Sequence, residues 1–78
     1  MNETEIELRG DHITLDALLK ASGLAGSGGV AKLLIATGSV QVNGVIETRR
    51  GRKLRAGDEV TLDEARVRVR AGPAQPAL

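Results

Sequence analysis

The chain has 78 residues, a 41% hydrophobic share and a formal net charge of +1, with no cysteine and no aromatic residue. That length allows one small domain, and the missing cysteines exclude a disulfide framework, a thiolate metal site and a cysteine nucleophile. No apolar run approaches the roughly 18 residues that cross a bilayer and no secretory leader pattern is seen, so a cytoplasmic protein with no membrane partner is expected.

Glu5-Ile6-Glu7-Leu8-Arg9 alternates polar and apolar residues, the period of a half-buried strand, and Gly10-Asp11 ends it. Thr14 stands where a helix cap would, ahead of Leu15, Leu18 and Leu19 at helical spacing, and Gly23 is placed to stop that helix. Ser27 caps a second helix whose buried stripe is Ala31, Leu34 and Ile35, and Gly38 ends it. The short join between them predicts a helical hairpin. From Ser39 the pattern becomes that of strands. Val40 and Val42 lead into Asn43-Gly44, a pair suited to a type I′ turn because both tolerate positive φ, and Val45 to Thr48 returns. Arg49 to Arg55 is a charged connection anchored by Leu54, and Gly57-Asp58 marks a turn. Val60 to Leu62 and Arg66 to Arg70 then pair through Asp63-Glu64-Ala65. A disordered tail is expected at residues 72–78. The expected fold is α+β, an edge strand and a two-helix hairpin packed on a small antiparallel sheet, forming a single domain over residues 1–71. Its expected core is Ile6, Leu8, Leu15, Leu18, Leu19, Ala31, Leu34, Ile35, Val40, Val42, Leu54, Val60, Val67 and Val69.

The net charge hides an asymmetry. Residues 1–19 hold five acids against Arg9 alone, a balance of −4, whereas residues 20–57 hold seven bases against Glu47 alone, a balance of +6. Residues 58–78 hold four acids and three bases, a balance of −1. A basic centre between acidic flanks is the footprint of a bound polyanion. Single-stranded bases are commonly read by stacking on aromatic rings, and none is present here. Contact with nucleic acid would therefore rest on phosphates, sugars and shape.

Three segments carry that expectation. The start of the second helix offers unpaired N–H groups and the positive end of its dipole. Ser27 opens it, Gly28 and Gly29 leave the backbone open to a phosphate, and Lys32 follows one turn on. Gly38-Ser39-Val40-Gln41-Val42-Asn43-Gly44 supplies the hairpin. Thr48-Arg49-Arg50-Gly51-Arg52-Lys53-Leu54 supplies charge, since arginine forks grip phosphate oxygens with two hydrogen bonds. Lys20 and Arg55 complete the candidate set of Lys20, Ser27, Gly28, Gly29, Lys32, Arg49, Arg50, Arg52, Lys53 and Arg55.

A helix, a glycine, Val-x-Val-Asn-Gly, a basic linker and then Leu-x-x-Gly-Asp resembles the S-four RNA-binding domain, named after the fourth protein of the small ribosomal subunit. The resemblance runs from about Ile13 to Leu62. Ser27-Gly28-Gly29-x-Ala31-Lys32 and Thr48 to Leu54 look closest to the short free-standing bacterial members. It implies a two-helix motif on a small sheet, and binding of structured RNA, ribosomal or transfer, by a monomer acting in translation. Where many members carry Arg directly after the helix-starting Ser, this chain has Gly28, so Lys32 and the Arg49–Lys53 cluster would carry the charge.

An enzyme reading finds little support. His12 is the sole histidine, and Asp58-Glu59 and Asp63-Glu64 read as solvated turn residues. No phosphate-loop motif is present, and no cluster of three or four metal ligands. Neither a cofactor nor a small-molecule substrate is expected. A ubiquitin-like sulfur carrier would need a free C-terminal Gly-Gly, whereas the sequence closes on Ala74-Gln75-Pro76-Ala77-Leu78. A protein-docking adaptor that meets an acidic partner stays open as the alternative.

Overall fold

A computed structural model describes residues 2–72. The elements run β1 (Asn2–Glu7), β2 (Ile13–Thr14), α1 (Leu15–Ala21), α2 (Gly28–Ala36), β3 (Val40–Val42), β4 (Val45–Ile46), β5 (Lys53–Leu54), β6 (Glu59–Leu62) and β7 (Ala65–Arg70). Five strands form one sheet in the order β1-β7-β6-β3-β4, and β2 pairs with β5 in a separate two-stranded ladder. The expected antiparallel sheet is present as β7-β6-β3-β4, but β1 joins its edge parallel to β7. Parallel neighbours need a long crossover between them. Here the helices and the intervening hairpin supply it.

The period-two pattern sorts the two faces of the sheet. Val40, Val42, Val60, Leu62, Val67 and Val69 point inward and are buried, and they share one cluster with Leu15, Leu18, Leu19, Ala31, Ile35 and Leu54. Two expected core members, Ile6 and Leu34, are only partly buried against it, and Ala25 and Leu62 join it unforeseen. The outward face is a charge ladder. Glu5 lies opposite Arg68 and Glu7 opposite Arg70 across β1 and β7. Arg68 reaches Glu59 at 3.1 Å, and Arg70 lies 3.9 Å from both Glu5 and Glu7. These C-terminal arginines are therefore neutralised locally and form no part of the basic centre.

Both helices end as their glycines dictate, with Gly23 at φ +81° and Gly38 at φ +77°. The start of α1 differs from expectation. Thr14 is the N-cap residue, but its hydroxyl donates to Asp16 Oδ1 at 2.6 Å and that carboxylate accepts the Ala17 N–H at 2.9 Å. The cap is thus made by Asp16, held by Thr14. The hairpin turn is as read, with Asn43 at φ 52° and Gly44 at φ 84°. The return strand stops at Ile46, short of Thr48. Gly72, assigned to the tail, is half-buried, and a Cβ there would run into the Leu8 carbonyl oxygen. The rest of that tail lies outside the described residues.

Candidate nucleic-acid interface

The segment from Arg49 to Arg55 is a stapled loop rather than a free connection. Its carbonyl groups satisfy the first turn of α1, whose leading N–H groups have no partner within the helix. The Leu15 N–H donates to the Arg52 carbonyl at 2.9 Å, and the Asp16 N–H to that of Arg50 at 3.1 Å. The Arg52 N–H closes a turn onto the Arg49 carbonyl at 3.2 Å. Lys53-Leu54 then pairs with Ile13-Thr14, and the Leu54 side chain is fully buried. The backbone of the basic run is thereby fixed at both ends, with the side chains of Arg49, Arg50, Lys53 and Arg55 exposed and that of Arg52 half-buried.

Glu47 organises the near side of this loop. It is buried at 8% exposure, unusual for a carboxylate. Its Oε2 accepts from the Arg49 N–H and Nε, both at 3.1 Å, and its Oε1 from Arg49 Nη2 at 3.2 Å and Arg52 Nη1 at 2.9 Å. Arg49 chiefly, with Arg52, holds the carboxyl down to about 2, against an ordinary 4.5. In the sequence Glu47 stands out only as a charge opposing the basic run. The available signal was its position as the sole acid among residues 20–57, directly before the basic run.

The far side of the loop is fixed by Asn43 and Asp58. Asp58 Oδ2 accepts the Arg55 N–H at 2.8 Å, which holds its carboxyl below the usual range, helped by the Asn43 side chain. Asn43 Nδ2 donates to Asp58 Oδ1 at 3.1 Å, and Asn43 Oδ1 accepts the Glu59 N–H at 3.0 Å. The turn after β3 is thus tied to the turn that follows the basic loop.

The candidate residues fall into three groups. Arg49 and Arg52 are ion-paired to Glu47. Among the described residues, Lys20, Lys32, Arg50, Lys53 and Arg55 make no ion pair, and all five are exposed. Arg50 adjoins Asp16, whose carboxyl is lowered mainly by the Thr14 hydroxyl and to a smaller degree by Arg50. Lys20 lies one helical turn beyond Asp16 on the same stripe. Ser27, Gly28 and Gly29 form the third group. Ser27 Oγ accepts the Val30 N–H at 3.2 Å, so one donor of that helix start is used by the cap. Gly28 and Gly29 are exposed, and a Cβ at Gly28 would meet nothing within 4 Å. Among the described residues no hydrogen bond or ion pair joins this helix start to the 49–55 loop; α2 is held through Ala31 and Ile35 instead.

The fold and loop define a small α+β domain that presents a basic segment, tethered by backbone hydrogen bonds, at the start of a helical hairpin. The S4 domain family model matches residues 6–70, and the chain belongs to that family. Among curated relatives, it is 43% identical over 58 residues to "Putative RNA-binding protein YbcJ" of Escherichia coli (strain K12), a match covering 74% of this chain and 83% of that protein. The "Uncharacterized protein YbcJ" of Shigella flexneri matches to the same extent. The "Probable ribosome maturation protein RlbA" of Bacillus subtilis (strain 168) is 40% identical over 58 residues, covering 74% of this chain and 82% of that protein. Among the described residues no group of three or more His, Asp or Glu side chains is placed to hold a metal, and no helix is long and apolar enough to cross a membrane.

Proposed function

We propose that this protein is a cytoplasmic, non-enzymatic module that binds structured RNA through the phosphate backbone. The observation that carries the reading is the stapled 49–55 loop, whose Arg50, Lys53 and Arg55 side chains are exposed and make no ion pair among the described residues. Lys20 and Lys32 add charge on the two helices, and the N–H groups of Gly28 and Gly29 offer a further phosphate contact. Fixed cations suit fixed phosphates. A rigid loop loses little entropy on docking, and a folded RNA holds its phosphates at set spacing. Membership in the S4 domain family and the naming of one relative for RNA binding support the reading. The naming of another for ribosome maturation favours ribosomal over transfer RNA.

The test is charge reversal of Arg50 and Lys53 together, with binding to an RNA stem-loop followed by fluorescence anisotropy. Two phosphate contacts are lost and two repulsions gained, so affinity should fall by at least about a hundredfold at low salt. Neither side chain is buried, so the melting temperature should hold within a few degrees. Unchanged affinity would refute the proposal. The alternative is a protein-docking adaptor whose basic patch meets an acidic partner. It would take first place in that event.

A further inference from the structure

We infer that Glu47 is a positioning residue for RNA recognition, bracing Arg49 and Arg52 so that their outward N–H groups meet phosphates at fixed places. The inference rests on the RNA-binding reading and concerns how that surface is built. Arg49 places its Nε and Nη2 on the two oxygens of Glu47, a fork-on-fork contact. Such a contact uses one edge of the guanidinium and leaves Nη1 and the outer hydrogen of Nη2 available. The Arg49 side chain remains 74% exposed, while the Glu47 side chain beneath it is only 10% exposed. Arg52 joins the same carboxylate through Nη1, at 35% side-chain exposure. The Arg49 backbone N–H adds a fourth donor to the carboxylate, so the acid also fixes the chain at the head of the loop.

This arrangement opposes simple charge counting. An acid beside a phosphate-binding loop weakens binding through its field, so its removal should strengthen RNA binding. The geometry points the other way. Arginine is among the side chains with most rotamer freedom, and an exposed arginine must be ordered when it binds. Glu47 has already ordered two of them in the free protein. It also draws on a single oxygen pair from below, so the phosphate-facing donors are not consumed. The sign of the effect therefore separates the two ideas.

The experiment compares wild type, Glu47→Gln, Arg49→Lys and the double variant in binding to a fluorescein-labelled RNA stem-loop and to polyuridine of equal length. Circular dichroism melting runs in parallel. Glu47→Gln raises the net charge by one, yet stem-loop affinity should fall by about five- to tenfold, the cost of ordering two released arginines during association. Polyuridine, which lacks fixed phosphate spacing, should lose less, so discrimination between the two RNAs should narrow. Arg49→Lys keeps the charge at an exposed position and lacks the fork, so it should lose roughly two- to tenfold on the stem-loop. In that background Glu47→Gln should cost less than it does alone, since the brace is already broken. Higher or unchanged stem-loop affinity in folded Glu47→Gln would overturn the inference while leaving the RNA-binding reading intact. Should Glu47→Gln fail to fold, Arg49→Lys decides: a stem-loop affinity equal to wild type overturns the inference, and a loss confined to the stem-loop supports it. Wild-type protein that binds neither RNA would overturn the underlying reading and the inference with it.

Discussion

Replacing Asn43 with alanine should destabilise the domain far more than an exposed turn residue ordinarily would. Asn43 sits in the left-handed region at φ 52°, where asparagine is tolerated and alanine costs about 1–2 kcal/mol. Its side chain also donates to Asp58 at 3.1 Å and accepts from the Glu59 N–H at 3.0 Å, joining two turns distant in sequence. Each such hydrogen bond contributes about 0.5–1.5 kcal/mol, toward the lower end at an exposed site. The combined loss is about 2–4 kcal/mol. A domain of this size has roughly 4–12 kcal/mol in all. At about 4–8 °C per kcal/mol, the melting temperature should drop by about 8–32 °C. Asn43→Gly keeps the backbone conformation and loses only the hydrogen bonds, so it should show about half of that drop. Without aromatic residues the melts must be followed by far-ultraviolet circular dichroism. An Asn43→Ala variant that melts within about 3 °C of wild type would refute the clamp, since the smallest loss worked above already exceeds that shift.

Gly44, at φ 84°, should not accept a β-branched residue: Gly44→Val should cost about 1–2 kcal/mol or more, and a wild-type melting temperature would contradict the turn geometry. Stability should also depend on acid. Glu47 titrates at about 2 in the folded protein and near 4.5 when unpaired, so its contribution is complete above about pH 4.5 and disappears as pH falls towards 2. Asp16 and Asp58 are lowered too and act in the same direction. Melting temperatures measured across that window should decline steadily as the pH is lowered, and a flat profile would contradict the ion pairing. Leu54→Ala should remove about 2–5 kcal/mol, because the side chain is fully buried where the basic loop meets the core, and a small loss by chemical denaturation would mean that the anchor is dispensable.

Much of the fold was legible because local chemistry governs it. Ser27 caps α2, Gly23 and Gly38 end the helices, and Asn43-Gly44 turns with positive φ, each for reasons contained within a few residues. Alternation in Val40 to Val42 and in Arg66 to Arg70 assigned the buried face correctly. What was not legible depends on partners distant in the chain. The parallel pairing of β1 with β7 joins the two ends of the domain, and no local pattern encodes it. The β2–β5 ladder has two residues on each side, too short for any periodicity. The residue type of Thr14 suggests a capping hydroxyl, but the neighbouring Asp16 carboxylate is the stronger acceptor and takes the role. In the candidate interface, the basic cluster was visible by density alone. The division of its members was not, because it depends on burial of Glu47, and carboxylates are seldom buried.

The central claim is that fixed cations on a stapled loop meet the phosphates of a folded RNA, and the salt dependence of binding tests it most directly. Affinity for an RNA stem-loop and for polyuridine of equal length should be measured at two salt concentrations fourfold apart. Five exposed cations that make no ion pair among the described residues are available. If about four to five phosphates are neutralised, log K against log salt should have a slope of roughly −3 to −4.5. That is a loss of about sixty- to five-hundredfold across the range. The stem-loop should be preferred at both concentrations, since its phosphates hold the spacing that the rigid loop presents. A stem-loop complex indifferent to salt, or a clear preference for polyuridine, would contradict the account.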